Sequence, residues 1–294
     1  MERKLSLLKN KLNEKISVII LCAGEGKRIR EFIQNVPKPL IEINNIPLLM
    51  HIISNLKIYA INSIIVITGH LGNEVKKYVN SIKKKNFSLY EKIMIIDSGE
   101  NYKKGPLFSF LSIVNEKTIL KRNRVYLVIP GDTFFDPEIF TEMFNTLLRN
   151  FSITNKKSIV FYQKVRSNDL KSELDPQKQI SIVNFEQEQP KEIVKEIQQK
   201  KLNDIDTGEN INQILPIFVF NYKLIKKIIN TEKKVSATTI REIINYIIQE
   251  KKYIFYAFPI NPSYRFVDVD TKSDYLIIEQ KKEDNRGSDQ SEYN

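Results

Sequence analysis

Cysteine is almost absent from this chain. Cys22 is the single one in 294 residues, so no disulfide can form within the chain, and a reducing cytoplasm is the expected compartment. Long apolar runs are missing too: no uninterrupted stretch approaches the roughly 20 residues that a membrane-spanning helix needs. Nothing resembles a cleavable leader, so a soluble protein without membrane insertion is expected. Glycine, serine and proline never gather into a linker between Ile16 and Ile278, which points to a single domain over 16–280. Residues 1–15 read as a charged extension without catalytic signal, and the polar stretch 281–294 is expected to be disordered. The formal net charge of +11 comes largely from lysines scattered through a chain rich in Ile and Asn. There is no aromatic-studded basic stripe, helix-turn-helix or zinc-finger spacing, so no nucleic-acid partner is expected, although a basic surface attracts polyphosphates. Of the two histidines, His51 falls in an apolar helical stretch and His70 in Gly69-His70-Leu71-Gly72. Neither has a Ser, Cys or metal-ligand partner at a recognisable spacing, and both read as structural.

The sequence does contain short β-branched runs alternating with helical periodicity. Ile16 to Leu21, Ile64 to Thr68, Lys92 to Ile96 and Val125 to Ile129 read as buried strands, with helices over Ile46 to Ala60 and Asn73 to Lys83. This alternation predicts an α/β fold with a mostly parallel central sheet flanked by helices, its ligand crevice at the carboxyl ends of the strands. After Phe151 shorter strand-like runs follow: Ser158 to Val165, Ile180 to Phe185, Ile193 to Ile197 and Ile214 to Phe220. A helix over Ile240 to Ile248 and a strand over Ile254 to Phe258 complete the pattern. The domain therefore divides into halves, 16–150 and 151–280.

The first strand runs into Cys22-Ala23-Gly24-Glu25-Gly26-Lys27-Arg28, where two glycines let the backbone approach a ligand and Lys27, Arg28 and Lys38 stand ready for phosphate. A Walker A loop requires Gly-Lys-Ser/Thr after a glycine and four residues, and no stretch provides it. A dinucleotide fingerprint requires a third glycine where Ile29 stands. The combination Leu21-Cys-Ala-Gly-Glu-Gly-Lys-Arg28 with Val36-Pro-Lys-Pro-Leu-Ile-Glu-Ile43 closely resembles the signature of the sugar-1-phosphate nucleotidylyltransferases, a family that includes cytidylyltransferases for phosphocholine and inositol phosphate. Lys27 occupies a position that is usually threonine or a small residue.

The resemblance implies a Rossmann-like nucleotidyltransferase whose second half supplies the acceptor side of the cleft. It implies that residues Cys22 to Arg28, with Lys38, contact the nucleoside triphosphate. Gly105 would lie against the nucleobase, although Pro106 replaces the family's small residue. Asp132, in Pro130-Gly131-Asp132-Thr133 after the fourth strand, would be a magnesium ligand; its plainer reading is a turn aspartate. Asp268 and Asp270 share one face of the extended Phe266-Val-Asp-Val-Asp-Thr271 and would complete the magnesium site. Asp270 has the alternative role of capping a helix that starts near Ser273. Lys200, in Glu196-Ile-Gln-Gln-Lys-Lys201, would grip the acceptor phosphate, or else belongs to a solvated charge run; Gln199 and Lys201 stand where the family has Glu and Pro.

The expected activity is magnesium-dependent transfer of a nucleotidyl group from a nucleoside triphosphate to a phosphorylated small-molecule acceptor, with Arg28, Lys38 and Asp132 carrying the chemistry. The alternative is a non-catalytic regulatory or assembly subunit of the same fold. Nucleobase, acceptor and any homo-oligomeric state stay open.

Overall fold

The computed structural model describes residues 14–279 apart from 35, 85–87, 117, 155, 189–190 and 252. Nearly all of the charged extension 1–15, and the whole of 281–294, lie outside the described residues. The chain enters its sheet at β1 (Ile16–Cys22), makes a small hairpin of β2 (Glu42–Ile43) and β3 (Ile46–Pro47), and continues through β4 (Ser63–Thr68), β5 (Ile93–Asp97) and β6 (Val125–Pro130). β5, β4, β1 and β6 lie side by side and parallel. Strands buried on both faces need near-continuous apolar runs, which Ile16–Cys22 and Val125–Pro130 supply.

The pleat divides those runs between two cores. Val18 and Ile20 pack with helices Leu48–Leu56, Gly72–Lys83 and Pro137–Arg149. Ile19 points the other way, into a cluster with helices Pro106–Leu111, Tyr222–Glu232 and Ile240–Gln249. Helix thus covers sheet on both sides. The helices Pro137–Arg149 and Tyr222–Glu232 were not among those expected, although Ile139, Phe140, Met143, Phe144 and Leu147 carry the helical stripe plainly.

The second half comprises β7 (Thr133–Phe135), β8 (Ser158–Arg166), β9 (Gln179–Glu188), β10 (Lys191–Lys201), β11 (Asn210–Asn221), β12 (Phe255–Pro259) and β13 (Phe266–Asp268). Among the described residues the main sheet has nine strands in the order β5-β4-β1-β6-β11-β8-β12-β10-β9. The expected parallel sheet is present in the strands of the first half, and the second half departs from it. Only β8 and β12 pair parallel beyond β6, because β11 returns antiparallel to both β6 and β8, and β9 and β10 form a hairpin. β9 also meets β11 at Ile182 and Gln213, so this half curls back upon itself. The helix expected over Ile46 to Ala60 is shorter. Asn44 and Asn45, at φ 52° and 59°, form a left-handed turn that pairs Ile43 with Ile46, and the helix begins only at Leu48.

β6 is the strand that joins the two halves. Leu127 on it is fully buried, and Leu127→Ala is expected to lower the free energy of unfolding by about 2–5 kcal/mol, read from the urea midpoint.

Candidate active site

The carboxyl ends of β1 and β6 are held together by the Gly131 N–H, which donates to the Leu21 carbonyl at 2.8 Å. Gly131 has to be glycine here: a Cβ would stand 2.5 Å from Cys22 Sγ. Cys22 is therefore a packing partner beneath the loop. Its thiol is pushed well up by burial, and further by the charge of Asp132, which removes it from thiolate chemistry. Above it, Gly24 has open space on its Cβ side. Gly26 adopts φ +62°, and a Cβ there would come within 2.9 Å of Lys38 Cγ, so the second glycine makes room for the lysine stem.

Lys38 lies in a short turn, Lys38–Leu40, entered from the extended Pro37. Its side chain is 8% exposed, and its Nζ donates to Asp270 Oδ1 at 2.6 Å and Asp132 Oδ2 at 3.3 Å. Arg28 adds a bond to Asp270 Oδ2 at 2.8 Å. Burial pulls the Lys38 pKa down, but the two carboxylates outweigh it and hold it above its ordinary value. Burial likewise works against the Asp270 carboxylate, and Lys38 followed by Arg28 keeps it below the usual range. Lys27 is turned outward to Glu25 at 2.9 Å and is 77% exposed. Four residues singled out in the sequence thus converge: Arg28, Lys38, Asp132 and Asp270.

Asp268 ends β13, which pairs with β7 outside the main sheet, Asp268 opposite Thr133. The Thr133 hydroxyl donates to its carboxylate. Burial first, opposed by Thr133 and reinforced by the negative charge of Asp132, raises Asp268 to about 6. The Val269 N–H donates to the Asp132 carbonyl at 3.0 Å, fastening the acidic segment to the β6 turn. A helix over 272–279 follows. Its start is closed by Thr271 and Asp274: Asp274 Oδ2 accepts from the Thr271 and Asp270 N–H groups at 2.9 and 3.0 Å, and Thr271 Oγ1 from the Asp274 N–H at 3.3 Å. The cap is therefore Thr271, and the Asp270 side chain is left to Lys38 and Arg28.

Among the described residues no three His, Cys, Asp or Glu side chains are grouped tightly enough to hold a metal ion unaided. The oxygen donors present nevertheless suit a hard cation that arrives on a triphosphate, since magnesium is commonly held by one or two carboxylates together with substrate phosphates. The convergence of Asp132 and Asp270 on one ammonium marks where positive charge is needed.

A cavity of about 310 Å³ opens beside these groups, between β1 and β6 on one side and β9, β10 and β11 on the other. Ile197 and Gln199 of β10 line it. Lys200 does not, because the next residue along a strand points to the opposite face. Lys178 and Arg241 line the cavity instead. Lys178 donates to the Asp268 carbonyl at 2.8 Å and to Asp274, while Arg241 donates to Gln199 Oε1 at 2.6 Å. Arg241 was legible in principle, since Thr239 and Glu242 form a capping box that starts its helix at the crevice. Lys178 carries no such signal. Gly105 has a packing constraint of its own: at φ +120°, a Cβ would meet the Thr238 carbonyl oxygen at 2.6 Å. His51 bonds the Ile43 carbonyl at 3.0 Å, and His70 lies 3.4 Å from Arg30, in keeping with structural roles.

The MobA-like NTP transferase domain profile matches residues 18–230. A probable glucose-1-phosphate cytidylyltransferase of Bacillus subtilis is 35% identical over 74 residues, 25% of this chain and 29% of that protein. A choline-phosphate cytidylyltransferase of Streptococcus pneumoniae is 45% identical over 56 residues, 19% of this chain and 24% of the relative. The chain thus matches less than a third of the length of either. A crystal structure of UDP-glucose pyrophosphorylase complexed with UDP-glucose superposes with a TM-score of 0.66 at 14% identity, over 92% of this chain and 98% of that one. At that identity the likeness concerns the fold.

Two substitutions probe the frame of the site. Lys178→Met strands the Asp274 carboxylate, whose side chain is 2% exposed, and should cost about 3–5 kcal/mol in denaturant unfolding. Gly105→Ala should cost about 1–3 kcal/mol by the same measurement, since it adds both a close contact and a strained φ.

Proposed function

Because the chain belongs to the family of MobA-like NTP transferase domains, we propose that it transfers a nucleotidyl group from a nucleoside triphosphate to a phosphorylated small molecule. The observation that supports this reading most directly is the buried Lys38, held between Asp132 and Asp270 beside the glycine loop. An oxygen of the acceptor phosphate attacks the α-phosphorus, the bond from that phosphorus to the bridging oxygen breaks, and pyrophosphate leaves. The acceptor oxygen is already anionic, so no general base is required and catalysis consists of alignment and charge neutralisation.

In this reading the loop from Cys22 to Arg28 receives the triphosphate through its backbone N–H groups. Arg28 is 65% exposed on its side chain, and it leaves Asp270 for the incoming phosphates. Lys38, fixed by burial, faces the departing pyrophosphate and stabilises its charge. Asp132 and Asp268, with Asp270 beside them, would hold magnesium, which when bound supplies positive charge at the α-phosphoryl group. The acceptor phosphate enters from the crevice bordered by Lys178 and Arg241. A regulatory subunit without turnover would have no use for this complete set of charges, which favours the transferase.

Pyrophosphate release is to be measured for each ribonucleoside triphosphate and dTTP against phosphorylated sugars, polyols and choline phosphate. Release that depends on acceptor and magnesium is expected. Asp132→Asn should lower it about 100- to 1,000-fold, by analogy with losing one positioned electrostatic donor, while the melting transition stays cooperative. Unchanged turnover in chelator, or in folded Asp132→Asn, would sink the reading.

A further inference from the structure

The sheet topology gives the molecule two ends of different electrostatic character. β1, β4, β5 and β6 all begin at the end remote from the crevice. The pairing of Asn221 with Val125 and of Val219 with Ile159 brings the close of β11 and the start of β8 there too, and β12 starts beside β8. The residues that lead into these strands are basic: Lys15 before β1, Lys92 before β5, Lys121 and Arg122 before β6, Lys156 before β8 and Lys251 before β12. All six are exposed. The acids adjoining them in the chain are Glu14, Glu91 and Glu250. Helix Tyr222–Glu232, which follows β11, adds Lys223 and Lys226. With Lys234 and Tyr253 these two line a groove of about 490 Å³ that has no acidic residue in its wall. The Tyr253 hydroxyl donates to the Lys156 carbonyl at 3.3 Å, which joins the groove to the strand starts.

The ordinary needs of the fold do not account for these charges. A cation in the first turn of a helix opposes the macrodipole, yet the first turn of Tyr222–Glu232 holds Lys223 and no acid. Counter-charges are not supplied either: Lys121, Arg122, Lys156 and Lys223 enter no ion pair among the described residues. Towards the crevice end bases do meet acids, Lys76 with Asp97, Lys77 with Glu74 and Lys103 with Glu100.

We propose that the end remote from the crevice docks on an anionic lipid surface and leaves the crevice facing solvent. Neighbouring strands lie roughly 4.8 Å apart, so the strand ends from β5 to β12 spread the charge over a face roughly 30 Å broad. Most of the charges are lysines, whose compact ammonium is drawn to headgroups without needing a shaped partner. Ile58 stands at the same end, 77% exposed, on the turn between helix Leu48–Leu56 and β4. That turn is fixed there by the Asn62 N–H, which donates to the Ile16 carbonyl at 2.8 Å. An apolar side chain projecting among cations suits the boundary between headgroups and acyl chains, and a nucleic-acid backbone has no use for it. The sequence that leads into β1 repeats the pattern, with Arg3, Lys4, Lys9 and Lys11 beside Leu5, Leu8 and Leu12. No helix among the described residues is long and apolar enough to cross a membrane, so the contact is peripheral.

The full chain is to be centrifuged with vesicles of phosphatidylcholine alone and of phosphatidylcholine with about 30% phosphatidylglycerol. Each is run at low salt and at about 1 M salt, where the screening length falls to about 3 Å. Sedimentation is expected with the anionic vesicles at low salt, and neither with neutral vesicles nor at high salt. Lys121→Gln, Lys156→Gln and Lys223→Gln combined should weaken binding about 100-fold, at roughly fivefold per charge. Ile58→Ser should weaken it about twofold. Removing as many charges towards the other end, by Lys76→Gln, Lys77→Gln and Lys103→Gln, should change it by about threefold at most. Cooperative melting of both triple variants checks the fold. Absence of sedimentation with anionic vesicles, equal binding to neutral ones, or equal loss in the two triple variants overturns the assignment. Displacement from the vesicles by a duplex oligonucleotide at equal phosphate concentration overturns it in favour of a nucleic-acid partner.

Discussion

A single ammonium group holds this site together. Lys38 Nζ is nearly removed from water, and it is kept charged there by carboxylates from two distant parts of the chain, Asp132 after β6 and Asp270 after β13. A buried charge of this kind is tolerable only when its partners are placed well, so the surrounding structure is arranged around their placement. Gly26 clears the lysine stem, Pro37 fixes its entry, the Gly131 N–H brings Asp132 to the edge of β1, and the β7–β13 pairing carries Asp270 across. The local electrostatics then divide. Asp270 is held ionised by two cations, whereas Asp268, two residues away but deeper and paired to a neutral hydroxyl, gives up its proton less readily. Similar carboxylates in one short segment thus meet different environments.

The first half was legible because its signals are local. A β-branched run followed by Gly-x-Gly predicts a strand ending in a turn, and β1 stands where it was expected. Asp132 followed from the same logic, as the residue just beyond a buried strand. The alternation of Asp268 and Asp270 was also visible, but their different fates were not. Which one meets a lysine and which a threonine depends on β13 pairing with β7, a contact between segments 131 to 135 residues apart in the chain.

The second half hid its crevice-lining residues for a related reason. Lys200 was picked out by a loose resemblance of Glu196 to Lys201 to a family segment, yet the one-residue alternation of a strand decides which side chains face the crevice, and here Gln199 does. Lys178 enters at the start of β9 and acts through Asp274, which no spacing along the chain foretells. The antiparallel pairing of the second half is what brings these positions to their places.

The β7–β13 pairing has a consequence for how the protein comes into being. Lys38 and Asp270 are 232 positions apart, so their bond forms only after Asp270 itself has been synthesised. The parallel core of the first half can collapse earlier, but it must do so with Lys38 still searching for a counter-charge. Closing this long loop and completing the charge balance around Lys38 are one event, so a chain stopped short of Asp270 carries the glycine loop without that balance. The buried ammonium is thus completed only when the segment that follows β13 has docked.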